Sequence, residues 1–289
     1  MLLITQGPKM EPECSVQAEK TPIHPQFNDS EADVTFQSVD GILFNLRRKY
    51  LELNTGAFPG AEFDTRGEVT HLTETSKVLE VLFRFVYPKE QPDVEELSFI
   101  TLAGVAEAAE KYEVYAAMNI CKLQMKRFLP QDALGILAHA SKHDYPKLIQ
   151  EAVPHLGRVS MVTVLEVLPP RYVLPFVRYH ESWNSVFEDA LKAIIEMKVA
   201  SPSNPRQHWY FERSLKPQAC HSCMMFLVVL LQELKALESV KDLKEALSKT
   251  RPALSSCISP ACRYSSVCTT IFSDMKTKLE GIPPFLDFL

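Results

Sequence analysis

In the stretch DVTFQSVDGILFNLRRKYLELNTGAF, Asp33 to Phe58, the hydrophobic period changes from two to 3.6, and that change limits the folds open to the chain. Val34, Phe36 and Ser38 alternate with Thr35, Gln37 and Val39, the period of a strand. Asp40-Gly41 predicts a tight type I′ hairpin turn, because such turns need positive φ. Ile42, Phe44 and Leu46 then form one face of a second strand. From Arg47 onward Tyr50, Leu51 and Asn54 take helical spacing, Phe58 lies one turn further, and Pro59-Gly60 stops the helix. This helix is expected to carry Leu51 and Phe58 inward and to leave Arg47, Arg48 and Lys49 near a surface. Glu68 to Leu72 reads as a short strand. Thr75 or Ser76 is positioned to cap the next helix, with Val78, Leu79, Leu82, Phe83 and Val86 on its inner face. Leu97–Tyr112 and Tyr115–Phe128 are two more helices. A few strands followed only by helices define an α+β domain, a short β-sheet with a helical cluster.

Several segments carry a family likeness. Asp33-Val34, the hairpin, Phe44-x-Leu46 before a basic pair, Leu51, Thr55 and Phe58 resemble the opening of a BTB/POZ domain, in which a strand leads into a helix of the pattern F-x-V-H-[RK]-x-x-L-x-x-x-S-x-x-F. Arg47 stands where that family has His, and Thr55 where it has Ser. LFRFVYP, Leu82 to Pro88, and AAEKYEV, Ala108 to Val114, resemble two further helices of the same domain. The Tyr-Pro ending and the downstream pieces LGILAHASKH, RYVLPFVRYH and HWYFERS are similar to uncharacterised fungal (basidiomycete-type) BTB proteins. The resemblance implies a protein-interaction module that forms homodimers or pairs with another BTB protein. It places the dimer helix at Arg47, Tyr50, Leu51, Asn54 and Phe58.

Four segments are expected. Residues 1–28 are a disordered or loosely docked tail, interrupted by Pro8, Pro12, Pro22 and Pro25. The BTB/POZ-like domain covers 29–130, and a BACK-like helical extension covers 131–200. Within the extension Ala133–His143, Pro146–Leu156, Ser160–Val167, Arg171–Tyr179 and Ser182–Lys198 read as helices. Residues 201–289 are a helical, cysteine-containing region that follows the turn-rich SPSNPRQ. Its long helix, Cys220–Leu247, carries a stripe of Leu227, Leu230, Leu234, Leu237 and Leu247, and Cys268–Leu279 is the last helix. The extension is all-α throughout.

Charge and apolar runs exclude some classes. A net charge of −5 with no concentrated basic run argues against nucleic acid as a partner. The longest apolar run, Cys223 to Leu231, is far short of the roughly 20 residues of a membrane span. MLLITQGPKMEPE shows no secretory leader, so an intracellular protein of cytoplasm or nucleus is expected, with its seven cysteines reduced or metal-bound.

The chemistry-bearing residues are sparse. Cys220 and Cys223 have metal-ligand spacing, and Cys257 and Cys262 would complete a tetrahedral structural zinc site; small cysteines buried in a helical core are the alternative. His139 and His143 sit at i and i+4 without a third ligand and read as surface or satisfied histidines. Glu110 and Lys111 read as a solvated helix face. Trp209-Tyr210-Phe211 reads as buried packing rather than an exposed anchor. No nucleophile elbow or phosphate loop occurs. The expectation is a non-enzymatic scaffold acting through BTB-mediated dimerisation. The alternatives are a substrate adaptor for a cullin-type ubiquitin ligase and a transcriptional regulator. For the adaptor, the interval PGAEFDTRGE lacks the hydrophobic-x-Glu cullin motif, since Gly60 and Arg66 precede Glu62 and Glu68.

Overall fold

The computed structural model describes residues 21–58, 67–157, 159–196, 198–199, 218–219, 221–235, 243, 245–246 and 264–289. Contacts divide the chain into two compact units: residues through Pro92 with Lys111–Tyr115, and Asp93–Glu110 with Ala116 onward. The architecture is α+β: a small four-stranded sheet and many helices.

In the first unit the sheet comprises β1 (Ile23–Asn28), β2 (Val34–Gln37), β3 (Leu43–Leu46) and β4 (Val69–His71), in the order β1-β3-β2-β4. β2 and β3 are antiparallel, with Phe36 opposite Phe44, while β1 and β4 lie parallel to their neighbours. The alternation read in β2 holds, since Val34, Phe36 and Ser38 are buried. The turn between β2 and β3 is wider than a two-residue type I′. The Gly41 N–H donates to Ser38 O (2.9 Å), and Ser38 and Ile42 are joined across the base. Gly41 alone takes positive φ (+84°), as in a type I turn closed by a glycine bulge.

Residues 23–28, which the sequence reading assigns to the tail, form strand β1. Pro25 is tolerated because β1 is an edge strand that does not need every N–H. Its signal is weak in sequence because Phe27 is its only buried residue. Phe27 faces Phe83 of α2 (Ser76–Val86), which is fully buried and ringed by Phe36, Phe44 and Phe58 at 5.4–6.5 Å. This aromatic cluster is the heart of the first unit.

Two aspartates of the hairpin fix the helices that follow. α1 (Arg48–Asn54) and α2 have no side-chain cap from their own N-cap residues, Arg47 and Thr75. Instead Asp33 Oδ1 accepts from the Arg48 N–H at 2.6 Å. Asp40 accepts from both the N–H (2.7 Å) and the hydroxyl (2.6 Å) of Ser76. Each carboxylate satisfies an orphan donor at a helix N-terminus and complements its partial positive charge. Burial opposes the Asp40 charge, yet the hydrogen bonds from Ser76 and Ser38 hold its carboxyl down at about 2. Arg48, read as a surface residue, is buried (8% exposed); a long stem lets an arginine pack as an apolar group. Lys111–Tyr115 completes the unit: Tyr112 stacks on Phe58 at 4.6 Å and donates to Glu74, which also binds Lys111.

The second unit is helical. α3 (Phe99–Tyr112) contributes its first three turns, followed by α4 (Tyr115–Met125), α5 (Ala133–Lys142), α6 (Pro146–Ala152), α7 (Met161–Val167) and α8 (Pro170–Ile195). Ser160 caps α7 through the Thr163 N–H. Asp144, at φ +62°, reverses the chain after α5. α8 is one helix where the sequence reading had two. Pro175 lies near its start, so the helix loses few bonds there, and neither Gly nor Pro interrupts the rest. α9 (His221–Lys235) and α10 (Tyr264–Glu280) pack on α8 around Trp183, Phe187, Leu227, Leu234, Ile271 and Met275. Leu227 and Leu234 of the expected leucine stripe are buried there; Leu237 and Leu247 lie outside the described residues. A C-terminal turn, Phe285–Phe288, places Phe285 against Tyr172, Phe176 and Tyr179. The extension is not all-α as expected: a two-residue parallel pair joins β5 (Lys198–Val199) to β6 (Gln218–Ala219), too short to leave a period-two signal in the sequence.

Candidate functional site

The residues implied as a dimer helix have different fates. Leu51 (1% exposed) and Phe58 (8%) belong to the core of the first unit, so they serve the fold and offer no free surface. Phe58 also lies beyond the end of α1. Arg47 forks onto Asp29 with Nε at 2.6 Å and Nη2 at 2.9 Å, and also pairs with Glu31. This links the end of β1 to the start of α1, and the hydrogen bonds from Arg47 and from the Glu31 N–H hold the Asp29 carboxyl below its ordinary range. A histidine could not make that two-pronged contact. The Arg47 N–H donates to the Tyr87 hydroxyl, and Tyr50 packs on the Tyr87 ring at 4.9 Å. Asn54 donates to Val86 O at 2.8 Å. The large apolar side chain that α1 turns to solvent is Leu53, 78% exposed, which the sequence reading did not single out.

Cys220, Cys257 and Cys262 lie outside the described residues, as do Trp209, Tyr210, Phe211 and the side chain of Cys223. Cys121 is described: it is buried and reduced, and burial pushes its thiol up to about 12, with Glu110 adding to the shift. It packs as a small apolar residue.

The densest group of titratable side chains among the described residues lies in the second unit, between α3 and α5. His139 on α5 and His143, the residue that caps its C-terminus, stand one turn apart, with ring centres 4.7 Å apart. Glu107, from α3, meets both. Its Oε1 is 2.7 Å from His139 Nδ1, and its carboxylate is 3.1–3.2 Å from His143 Nε2. Lys142 Nζ reaches Oε2 at 2.5 Å. His139 bonding first, then Lys142 and His143, holds the Glu107 carboxyl far below its ordinary range against the cost of its partial burial. Glu110, one turn on from Glu107, faces the other nitrogen of His143, Nδ1, at 3.8 Å. It also accepts a short hydrogen bond from the Tyr145 hydroxyl. Burial and Glu110 together raise the Tyr145 phenol well above its ordinary value. Lys122 covers the Tyr145 ring at 4.5 Å.

The histidines are therefore satisfied, but by a partner that the i, i+4 spacing does not disclose. Glu107 lies 32 residues before His139, on the helix whose Glu110 and Lys111 read as a solvated face. Its signal is only that Glu107 and Glu110 share one stripe of α3. Elsewhere in the second unit, a cavity lined by Val153, Leu156, Phe176, Tyr179 and Trp183 has a volume of ≈ 20 Å³, room for about one water.

The chain matches no protein-family model and no curated protein. Among the described residues, no helix is long and apolar enough to cross a membrane.

Proposed function

We propose that this chain is a protein–protein interaction module: a BTB/POZ-like domain over residues 29–130, followed by a helical extension, that pairs with a second copy or a related domain. The reading rests on one observation. The three family-like segments occupy elements of the kind the resemblance implies. Phe44 to Thr55 is a strand running into a helix, β3 into α1. LFRFVYP ends α2 at its Tyr-Pro dipeptide. AAEKYEV closes the alanine-rich α3 and ends at Val114, just before α4. The work of such a module is contact.

The pairing surface is the outer face of α1, where Leu53 stands beside Tyr50 and Asn54. Fixing α1 by Asp33 and Arg47 pre-orders this face, which lowers the cost of association. Burying Leu53 contributes about 1.5–3 kcal/mol per copy, and a two-fold interface uses it twice. Leu53→Asp, compared with the wild-type chain by size exclusion with light scattering, is expected to shift the midpoint of self-association at least 100-fold. An unchanged midpoint would remove α1 from the interface.

A further inference from the structure

We propose that Glu107, His139 and His143 form a divalent transition-metal site, of the kind Zn²⁺ occupies, that joins α3 to α5. The proposal is independent of the interaction-module reading. One carboxylate oxygen and two imidazole nitrogens converge so that all three ligand atoms lie within 4.8 Å of one another. The His143–Glu107 separation of 3.1–3.2 Å matches the edge of a tetrahedron built on metal–ligand bonds of about 2.0–2.1 Å. The His139–Glu107 separation of 2.7 Å has to open by about 0.6–0.7 Å to reach that edge, a shift the partly exposed Glu107 side chain can make.

The donor set selects the metal. Two imidazoles and one carboxylate suit zinc and its late first-row neighbours; magnesium and calcium take oxygen donors.

The surroundings provide the outer contacts that such sites use. His143 presents Nε2 to Glu107 and Nδ1 to the Glu110 carboxylate, which the Tyr145 hydroxyl holds in place. A carboxylate behind the non-ligating nitrogen orients the ring and raises its basicity. His139 is 5% exposed, so its ring is locked by packing. Glu110 adds a second negative charge. Lys142 is the competing cation, but it is 63% exposed and can move from Oε2 into water when a metal takes Oε1. Glu107 is 38% exposed, which gives an ion a path in and leaves a fourth position for water.

The test is a Co²⁺ titration of the full chain after chelation and removal of the chelator, read by visible absorption and repeated with Zn²⁺ competition. A chain with Cys220, Cys223, Cys257 and Cys262 all changed to Ser serves as background, which removes the candidate thiolate site. The expected result is one Co²⁺ per chain with tetrahedral d–d bands, no sulfur-to-metal charge-transfer band, and displacement by Zn²⁺. Glu107→Gln and His143→Ala are each expected to abolish the bands. Glu110→Gln is expected to weaken binding about 10- to 100-fold, as loss of an outer carboxylate does. Far-UV circular dichroism checks that each variant is folded. Should His143→Ala unfold, the partly exposed Glu107→Gln carries the test. Absent bands in that Cys→Ser background, or bands unchanged in Glu107→Gln, would overturn the proposal and leave the cluster a hydrogen-bonded ion network.

Discussion

Asp40 does two tasks that are far apart in sequence, and this makes it a sharp probe of the fold. It sits in the β2–β3 turn and caps α2 thirty-six residues later through two short bonds to Ser76. Asp40→Ala removes both bonds and the favourable charge at the helix N-terminus. Loss of a cap costs about 0.5–2 kcal/mol. If α2 opens with the unit, that range corresponds to about 2- to 30-fold less protection. The assay is hydrogen exchange followed by mass spectrometry, comparing segments 34–46 and 76–86 with the α8 segment of the same chain. Both first-unit segments are expected to lose protection while α8 does not. The pH dependence has a definite sign. The folded-state carboxyl sits at about 2, below its ordinary 3.8, so its contribution is complete above about pH 4 and is lost as pH falls toward 2. The gap between wild type and Asp40→Ala is therefore expected to close on acidification. Asp40→Asn, which keeps an acceptor without the charge, should lie between the two. Unchanged exchange in segment 76–86 of Asp40→Ala at pH 7 would refute the long-range cap.

Two further substitutions test the packing. Phe83→Ala deletes the ring at the centre of the Phe27–Phe36–Phe44–Phe58 cluster and is expected to cost about 3–5 kcal/mol, enough to unfold the first unit in a denaturant titration; a cost below 1 kcal/mol, by the same principle, would contradict that core. Gly135→Ala places a methyl 2.7–2.9 Å from the Phe99 ring, so it is expected to destabilise the second unit by about 1–2 kcal/mol, and to become stabilising in a Phe99→Ala background where helix propensity acts alone. Thermal melts of the single and double variants read the sign, and a stabilised single variant would refute the close approach.

Much of the first unit was legible because its signals are local. The alternation in β2, the change of period at Arg47 and the apolar face of Leu79, Leu82, Phe83 and Val86 each need only a few neighbouring residues. β1 was not legible, because an edge strand needs one buried side chain and tolerates Pro25. The caps of α1 and α2 escaped for a different reason. Thr75 and Ser76 looked like local caps, whereas Asp33 and Asp40 are brought to the helix ends by the hairpin. The same distinction governs the His139–His143 cluster. The i, i+4 pair is visible on α5, but Glu107 joins it only through the packing of α3 on α5. Arg47 shows that a departure from a pattern can be explained locally, since Asp29 and Glu31 wait for a forked, permanently charged side chain.

Sedimentation equilibrium of the intact chain at micromolar concentration, run on the wild type without a partner, tests the interaction-module account most directly. The account predicts a mass of twice 32.7 kDa, falling toward one chain on dilution and in Leu53→Asp. A mass of one chain at every concentration, with no change in Leu53→Asp, would contradict it.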